Sequence, residues 1–405
     1  MDMKRSKMKD RIRRLYPSAG DFEKEMKRIG VDSYALGIFQ QKKETLLIKI
    51  DACRIEAANI IKQDALSVGA DCVLPRSAIS GRPDKTDIIV IGTQRTLEKL
   101  SEKLKEQPFG LKEVAEALIS PLEPPRMIRA RDKVVDLSSP VIMGILNRTP
   151  DSFYDGGYYS EQQELDKRVE SMLEEGARII DIGGESTRPG SREVSPDEEW
   201  ERIEGALTLV RRLDSEILIS VDTRKSEVAR RSLDAGADMI NDVSALTSDA
   251  SMAEAVASAH SAVILMHMKG TPETMQKEPS YEDLMAEIFA FLKERSDAAL
   301  RAGILGESVL IDPGIGFGKR TEDNAEIIRR LRELKSLGYP VVMGLSRKSF
   351  IGRLTGKDPE GRLWGTIAAH TLSLINGADV IRAHDVAAAR QTLEIVEGVL
   401  NEKKK

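Results

Sequence analysis

The stretch Ile217-Leu-Ile-Ser-Val-Asp-Thr-Arg-Lys-Ser-Glu-Val-Ala-Arg-Arg-Ser-Leu-Asp-Ala-Gly-Ala-Asp-Met-Ile-Asn-Asp242 contains one full structural period. The β-branched run Ile217–Val221 reads as a buried strand ending in the polar Asp222-Thr-Arg224. A helical pattern covers 224–235, Ala-Gly-Ala closes it, and Met239–Asn241 starts the next strand.

The same rhythm extends both ways. Strands are expected at Val141–Leu146, Arg178–Ile182, Ala262–Met266, Ser308–Ile311, Val341–Gly344 and Asp379–Ile381. Helices are expected at Glu161–Gly176, Pro196–Leu213, 250–259, 280–302, 321–337, 347–376 and 386–402, with Ser195 as N-cap before Pro196. Glu-Gly-Ala precedes strand two and Asn-Gly-Ala strand eight, so glycine repeatedly ends a helix. Eight β/α units predict an α/β fold, a (β/α)₈ TIM barrel over 140–405, with a doubly wound sheet as the alternative. A closed barrel starting there is expected to need nothing upstream.

Upstream the rhythm is lost. Residues 1–125 show helical spacing at Phe22–Ile29, strands at Leu46–Ile50, Cys72–Leu74 and Ile88–Ile91, and helices at Glu56–Leu66, Leu97–Leu104 and Val114–Ile119. A small α+β N-terminal domain is expected. The proline-rich stretch from Pro121 to Pro140 marks a junction, and 126–139 reads as a linker. The charge also changes there, from +6 over 1–139 to −11 over 140–405.

Composition narrows the function. The net charge of −5 argues against nucleic acid as partner. Two cysteines, Cys53 and Cys72, cannot staple 405 residues, and no Cys/His cluster has zinc spacing. A basic N-terminus without an apolar segment, and no run of 18 apolar residues, argue against secretion and membrane spanning. A reducing, cytoplasmic setting is expected. Aromatics are only 4%, so aliphatic residues must fill the core.

Polar clusters fall where barrel chemistry is built, directly after strands. They are Asn147-Arg-Thr-Pro-Asp-Ser-Phe-Tyr-Asp-Gly-Gly157, Gly183-Gly-Glu-Ser-Thr-Arg-Pro-Gly190, Asp222-Thr-Arg224, Asn241-Asp242, Asp312-Pro-Gly-Ile-Gly-Phe-Gly-Lys319, Ser346-Arg-Lys-Ser349 and Arg382-Ala-His-Asp385. Asp222, Asn241, Asp312 and Lys348 offer acceptors and donors suited to a flat heterocycle edged with amide and amino groups. Asp222 or Asn241 alone reads equally as a helix N-cap; four such groups on four strand ends read as a pocket. Ser186 and Ser349 lack a neighbouring histidine with an orienting acid, so covalent catalysis is not indicated. The 314–318 glycines suggest a loop that moves over the site. They lack the spacing of a dinucleotide fingerprint.

In this order the clusters resemble the dihydropteroate synthase family across about 140–390. The first loop departs from the family's usual form at Arg148 and Tyr154. The resemblance implies a transferase of folate biosynthesis that joins 6-hydroxymethyl-7,8-dihydropterin pyrophosphate to p-aminobenzoate and releases pyrophosphate. It implies that Asp222, Asn241, Asp312 and Lys348 bind pterin, and that Asn147, Arg382 and His384 hold the pyrophosphate. Mg²⁺ then has Asn147 as its protein ligand. It further implies a p-aminobenzoate pocket at Phe153, Thr187, Arg188, Pro189, Phe317 and Ser349, small-molecule partners only, a homodimer, and a sulfonamide target. Loss of the anion in an SN1-like displacement fits Arg and His donors to phosphate. The alternative is a pterin-binding methyltransferase that uses methyltetrahydrofolate and a corrinoid protein; it leaves Arg382 and His384 unexplained. His267, His260 and His370 read as structural, His267 for want of a charged partner.

Overall fold

In the computed structural model, residues 19–80, 84–119, 125–148, 161–186, 193–270, 275 and 279–400 are described. They form two compact units, Met1–Ser120 and Pro121–Lys405.

The first unit is α+β. Strands β1 (Leu46–Arg54), β2 (Asp71–Val73) and β3 (Lys85–Gly92) make an antiparallel sheet in the order β1-β3-β2. Alternation decides its faces: Ile88 and Val90 are buried, whereas Asp87 and Ile89 face outward. The buried side packs with the helices Ile55–Val68, Gln94–Leu104 and Leu111–Ile119 through Ala58, Ile61, Leu97, Leu100 and Leu111. Gly69 caps the first of these, at φ 81°.

The second unit opens with a correction. The stretch expected as a linker, 126–139, holds a β-hairpin, β4 (Met127–Ala130) and β5 (Lys133–Asp136). Its Ile128, Ala130 and Val135, with Leu137 just beyond, share one buried cluster with a side chain from every barrel strand. The barrel therefore does take core residues from upstream of 140. Four-residue strands beside prolines show too little alternation to be read from sequence.

The barrel strands are β6 (Val141–Asn147), β7 (Ile179–Gly183), β8 (Leu218–Asp222), β9 (Met239–Asp242), β10 (Ala262–Met266), β11 (Val309–Asp312), β12 (Val342–Gly344) and β13 (Val380–Ala383). All pair in parallel, in the order β11-β10-β9-β8-β7-β6-β13-β12. A bridge between Ile311 and Val341 joins the two ends and closes the barrel. The expected pairing of the first and last strands is present, with Arg382 opposite Met143. Ser195 caps the helix Pro196–Leu213, accepting from the Glu198 N–H at 3.2 Å. Two expected helices are each broken in two. Thr321–Arg329 and Arg332–Lys335 replace 321–337, and Ser349–Thr355 and Leu363–Ile375 replace 347–376, where Gly356 at φ 70° ends the first piece. Among the described residues, no helix is long and apolar enough to cross a membrane.

Candidate active site at the C-terminal ends of the barrel strands

The first element of the site is a residue that sequence reading passed over. Asp181 lies inside the apolar run of β7 and is fully buried. Its Oδ1 accepts from Ser220 Oγ at 2.6 Å, and its Oδ2 accepts from Asn241 Nδ2 at 3.2 Å and Arg382 Nε at 2.6 Å. Arg382 Nη2 donates to Asp222 Oδ2 at 2.9 Å. One arginine thus links β7, β8 and β13, and Asp181 brings in β9. Neither Asp222 nor Asn241 caps a helix; both belong to this knot.

Glycines leave room for it. A Cβ on Gly183 would sit 3.6 Å from Asp222 Cβ and 3.7 Å from Asn147 Oδ1, so these groups flank an uncovered strand end. A Cβ on Gly344 would sit 3.8 Å from Lys348 Nζ, 3.9 Å from Arg382 Cδ and 4.0 Å from Asp312 Oδ2. Asp222, Asn241, Asp312 and Lys348, from four strand ends, therefore meet around Arg382. Asp312 Oδ1 accepts from Gly314 N at 2.6 Å. Lys348 Nζ donates to the Ile315 carbonyl and lies 4.7 Å from the centre of the Phe317 ring.

Burial dominates the electrostatics. It raises Asp222 to about 7 against the pull of Arg382, with Asp181 and Glu199 adding like charge. It raises Asp312 as well, opposed first by Lys348. It pulls the Lys348 ammonium down to about 8, although Asp312 favours the charged form.

His384 sits beside this group. Burial, reinforced by Arg382, lowers it to about 4, so the ring is neutral near pH 7. Its Nδ1 is 3.1 Å from Ser346 Oγ, which also accepts the His384 backbone N–H at 3.2 Å. We assign the hydroxyl proton to Nδ1, which leaves Nε2–H as an outward donor. Asp385 pairs with Arg347 through two hydrogen bonds of 2.8 and 2.9 Å. Arg148 turns away to the Arg202 carbonyl at 3.4 Å.

Phe317 is half-buried, and Ser349 is exposed as the first residue of a seven-residue helix. Phe153, Thr187, Arg188 and Pro189 lie outside the described residues. Among the described residues, no group of three or more His, Cys, Asp or Glu could hold a metal ion. Asn147 Oδ1 is a hard oxygen donor beside the open end of β7. A single such oxygen suits a magnesium ion whose other ligands are phosphate and water.

Two expectations change. His267 does have a cationic partner: Lys319 Nζ lies 2.9 Å from its Nδ1. The glycine loop is held rather than loose, since a Cβ on Gly314 would fall 1.9 Å from the His267 carbonyl oxygen. Asp181, Ser346 and Lys319 were the residues missed. A charge inside an apolar strand run could have flagged the first; contacts 38 and 52 residues apart leave no such trace of the other two.

Known proteins match this unit. A family model described as pterin binding enzyme matches residues 143–384. A dihydropteroate synthase of Synechocystis sp. is 45% identical over 260 residues, 64% of this chain and 89% of the relative. A Xanthomonas albilineans dihydropteroate synthase solved with 4-aminobenzoic acid is 43% identical with a TM-score of 0.64, over 68% of this chain and 98% of that one. The Yersinia pestis dihydropteroate synthase solved with a sulfonamide drug is 40% identical with a TM-score of 0.64, over 67% and 98%.

Proposed function

The chain belongs to the pterin binding enzyme family as a dihydropteroate synthase, and from that premise we propose how its own residues carry out the condensation. The observation that carries this reading is the Asp181–Arg382–Asp222 knot meeting Asp312 and Lys348 around Gly344. It supports the reading because acceptors, donors and a fixed guanidinium meet at one set of strand ends.

Asp222, Asn241, Asp312 and Lys348 hold the pterin edge. The two carboxylates accept from ring N–H and amino groups, Asn241 accepts and donates, and Lys348 donates. Arg382 gives Nε and Nη2 to Asp181 and Asp222, and keeps Nη1 for the diphosphate, which His384 meets through Nε2–H. Asn147 is the protein ligand we assign to Mg²⁺, which when bound neutralises diphosphate charge.

The bond that breaks joins the pterin methylene carbon to the bridging oxygen, and its electron pair leaves with the diphosphate. The pterin ring delocalises the resulting cation. The p-aminobenzoate nitrogen then bonds to that carbon and gives up a proton, which needs no strong base. We assign p-aminobenzoate to Phe317 and Ser349, and by the family resemblance also to Phe153, Thr187, Arg188 and Pro189. A sulfonamide, another flat arylamine, should compete there.

A homodimer is supported by apolar side chains left in water on two packed helices. Trp364, Leu372 and Ile375 of Leu363–Ile375, and Ile395 and Val399 of Val386–Leu400, are all exposed. Buried, free Cys53 and Cys72 suit a cytoplasmic setting. The decisive experiment follows pyrophosphate release from the pterin diphosphate by the full chain. Release that depends on p-aminobenzoate is expected; none under any magnesium concentration rejects the reading.

A further inference from the structure

Behind the loop that carries Phe317 lies a lysine that the mechanism above does not use. Lys319 is 2% exposed and His267 is 5% exposed. Lys319 Nζ donates to His267 Nδ1 at 2.9 Å, to the Phe317 carbonyl at 3.0 Å and to the His267 carbonyl at 3.3 Å. As an ammonium Lys319 spends its three donors on these acceptors, which puts the ring proton on Nε2; burial pulls the lysine down to about 7, opposed first by Asp312. Burial, with Lys319 beside it, pulls His267 down to about 2, which keeps the ring neutral and able to accept. The ring is fixed in turn, edge-on to Phe291 with centroids 5.0 Å apart.

The surrounding loop is tied from several sides. A Cβ on Gly318 would fall 2.4 Å from the Lys269 carbonyl oxygen, so only glycine lets the chains touch. Tyr281 Oη donates to the Gly318 carbonyl at 2.6 Å, and Gly316 N donates to Asn324 Oδ1 at 2.8 Å. On the substrate side, Lys348 donates to Ile315 and covers Phe317. Phe317 thus has Lys348 at its ring and Lys319 at its carbonyl.

We propose that Lys319 is a positioning residue for the condensation: from inside the protein it ties Phe317 to His267 at the end of β10, and so sets the aromatic wall against which the acceptor amine is placed. This rests on the synthase reading and on Phe317 lining the acceptor pocket. A purely structural lysine predicts something different: lower stability, with unchanged kinetics in the molecules that remain folded.

The test uses the full chain with Lys319→Met, which keeps the length and removes the donors, and Lys319→Arg, which restores charge and donors. Circular dichroism measures the folded fraction. Pyrophosphate release is followed with p-aminobenzoate varied at saturating pterin diphosphate. For Lys319→Met, KM for p-aminobenzoate should rise about tenfold, the worth of roughly one hydrogen bond. The value of kcat should stay within about threefold, because the reacting atoms are not touched. Lys319→Arg should recover part of the KM. If Lys319→Met does not fold, His267→Phe removes the acceptor and keeps the aromatic contact, and the same KM rise is expected. An unchanged KM in a folded variant overturns the proposal. A wild-type chain that releases no pyrophosphate defeats the synthase reading itself, so the two failures are distinguishable.

Discussion

Both ends of the barrel bury charge, and they treat it differently. At the end where the strands begin, Asp238 accepts from Arg211 Nη2 at 2.5 Å, Lys133 Nζ at 3.4 Å and the Ile219 N–H at 2.9 Å. Arg211 also donates to the carbonyls of Ser215, Ile217 and Gly236. At the same end, before β13, Lys335 grips both oxygens of Asp379 at 2.7 and 2.9 Å. Protein groups here take up both Nη atoms of Arg211, both oxygens of Asp379 and one oxygen of Asp238. At the end where the strands finish, Arg382 Nη1 and Asp312 Oδ2 have no hydrogen-bond partner among the described residues. The arginines separate the two ends: Arg211 spends Nη1 on backbone carbonyls and so ties strands together, whereas Arg382 keeps Nη1 free of the other described residues.

Arg382→Ala tests the end where the strands finish and has the largest expected effect. Asp181 stays buried without its cation, which costs on the order of 3–5 kcal/mol of stability. Turnover should fall at least about a hundredfold, and further with His384→Ala, since charge-assisted contacts contribute roughly 1.5–3 kcal/mol each. Thermal unfolding and pyrophosphate release check both. Near-normal turnover in the double variant would erase the distinction between the ends.

Asp238→Ala tests the end where the strands begin. It should cost about 3 kcal/mol in denaturant unfolding by leaving Arg211 and Lys133 without a carboxylate. Both KM values should be unchanged below the melting temperature. A raised KM here would show that the two ends communicate.

Asp222→Ala should weaken pterin binding by about 1–3 kcal/mol in calorimetry, because ring donors lose their acceptor. Unchanged affinity in both Asp222→Ala and Asp312→Ala would move the pocket elsewhere.

The smallest effect is a pH dependence. Burial raises Asp222 to about 7, so its acceptor form grows as pH rises from 6 to 8. Pterin affinity should rise over that range, by about tenfold at most. Lys348, at about 8, then loses its proton and sets the alkaline limit. The sign for folding is opposite. A carboxylate whose pKa is raised on folding holds its proton more tightly in the native state, so its contribution to stability falls between about pH 4 and 7. Asp222→Asn should flatten the acid side of the binding profile; an unaltered profile would assign that side to another group.

The barrel was legible because each β/α unit repeats local signals: apolar runs, Ser195 before Pro196, glycine after a helix. Five of the residues assigned to substrate or metal (Asn147, Asp222, Asn241, Asp312 and Arg382) lie within the last residues of their strands. Asp181 was visible as the one charge in a row of isoleucines, but a strand buried on both faces has no alternation to say that it points to the site. The break between Thr355 and Leu363 was written in Gly356 and Pro359 but overridden by the apolar pattern around it. The β4–β5 hairpin and the Lys319–His267 tie depend on tertiary contacts that no local pattern encodes.

The hairpin that fills the far end of the barrel also directs traffic. With Ile128, Ala130, Val135 and Leu137 packed among inward side chains of all eight strands, passage along the barrel axis is shut. Two substrates must therefore arrive, and two products depart, on the same side. With the diphosphate proposed at Arg382 and His384 and the acceptor along Phe317, arrivals and departures would queue for shared space. A barrel stoppered in this way imposes sequence on the turnover cycle by shape alone, before any affinity is considered.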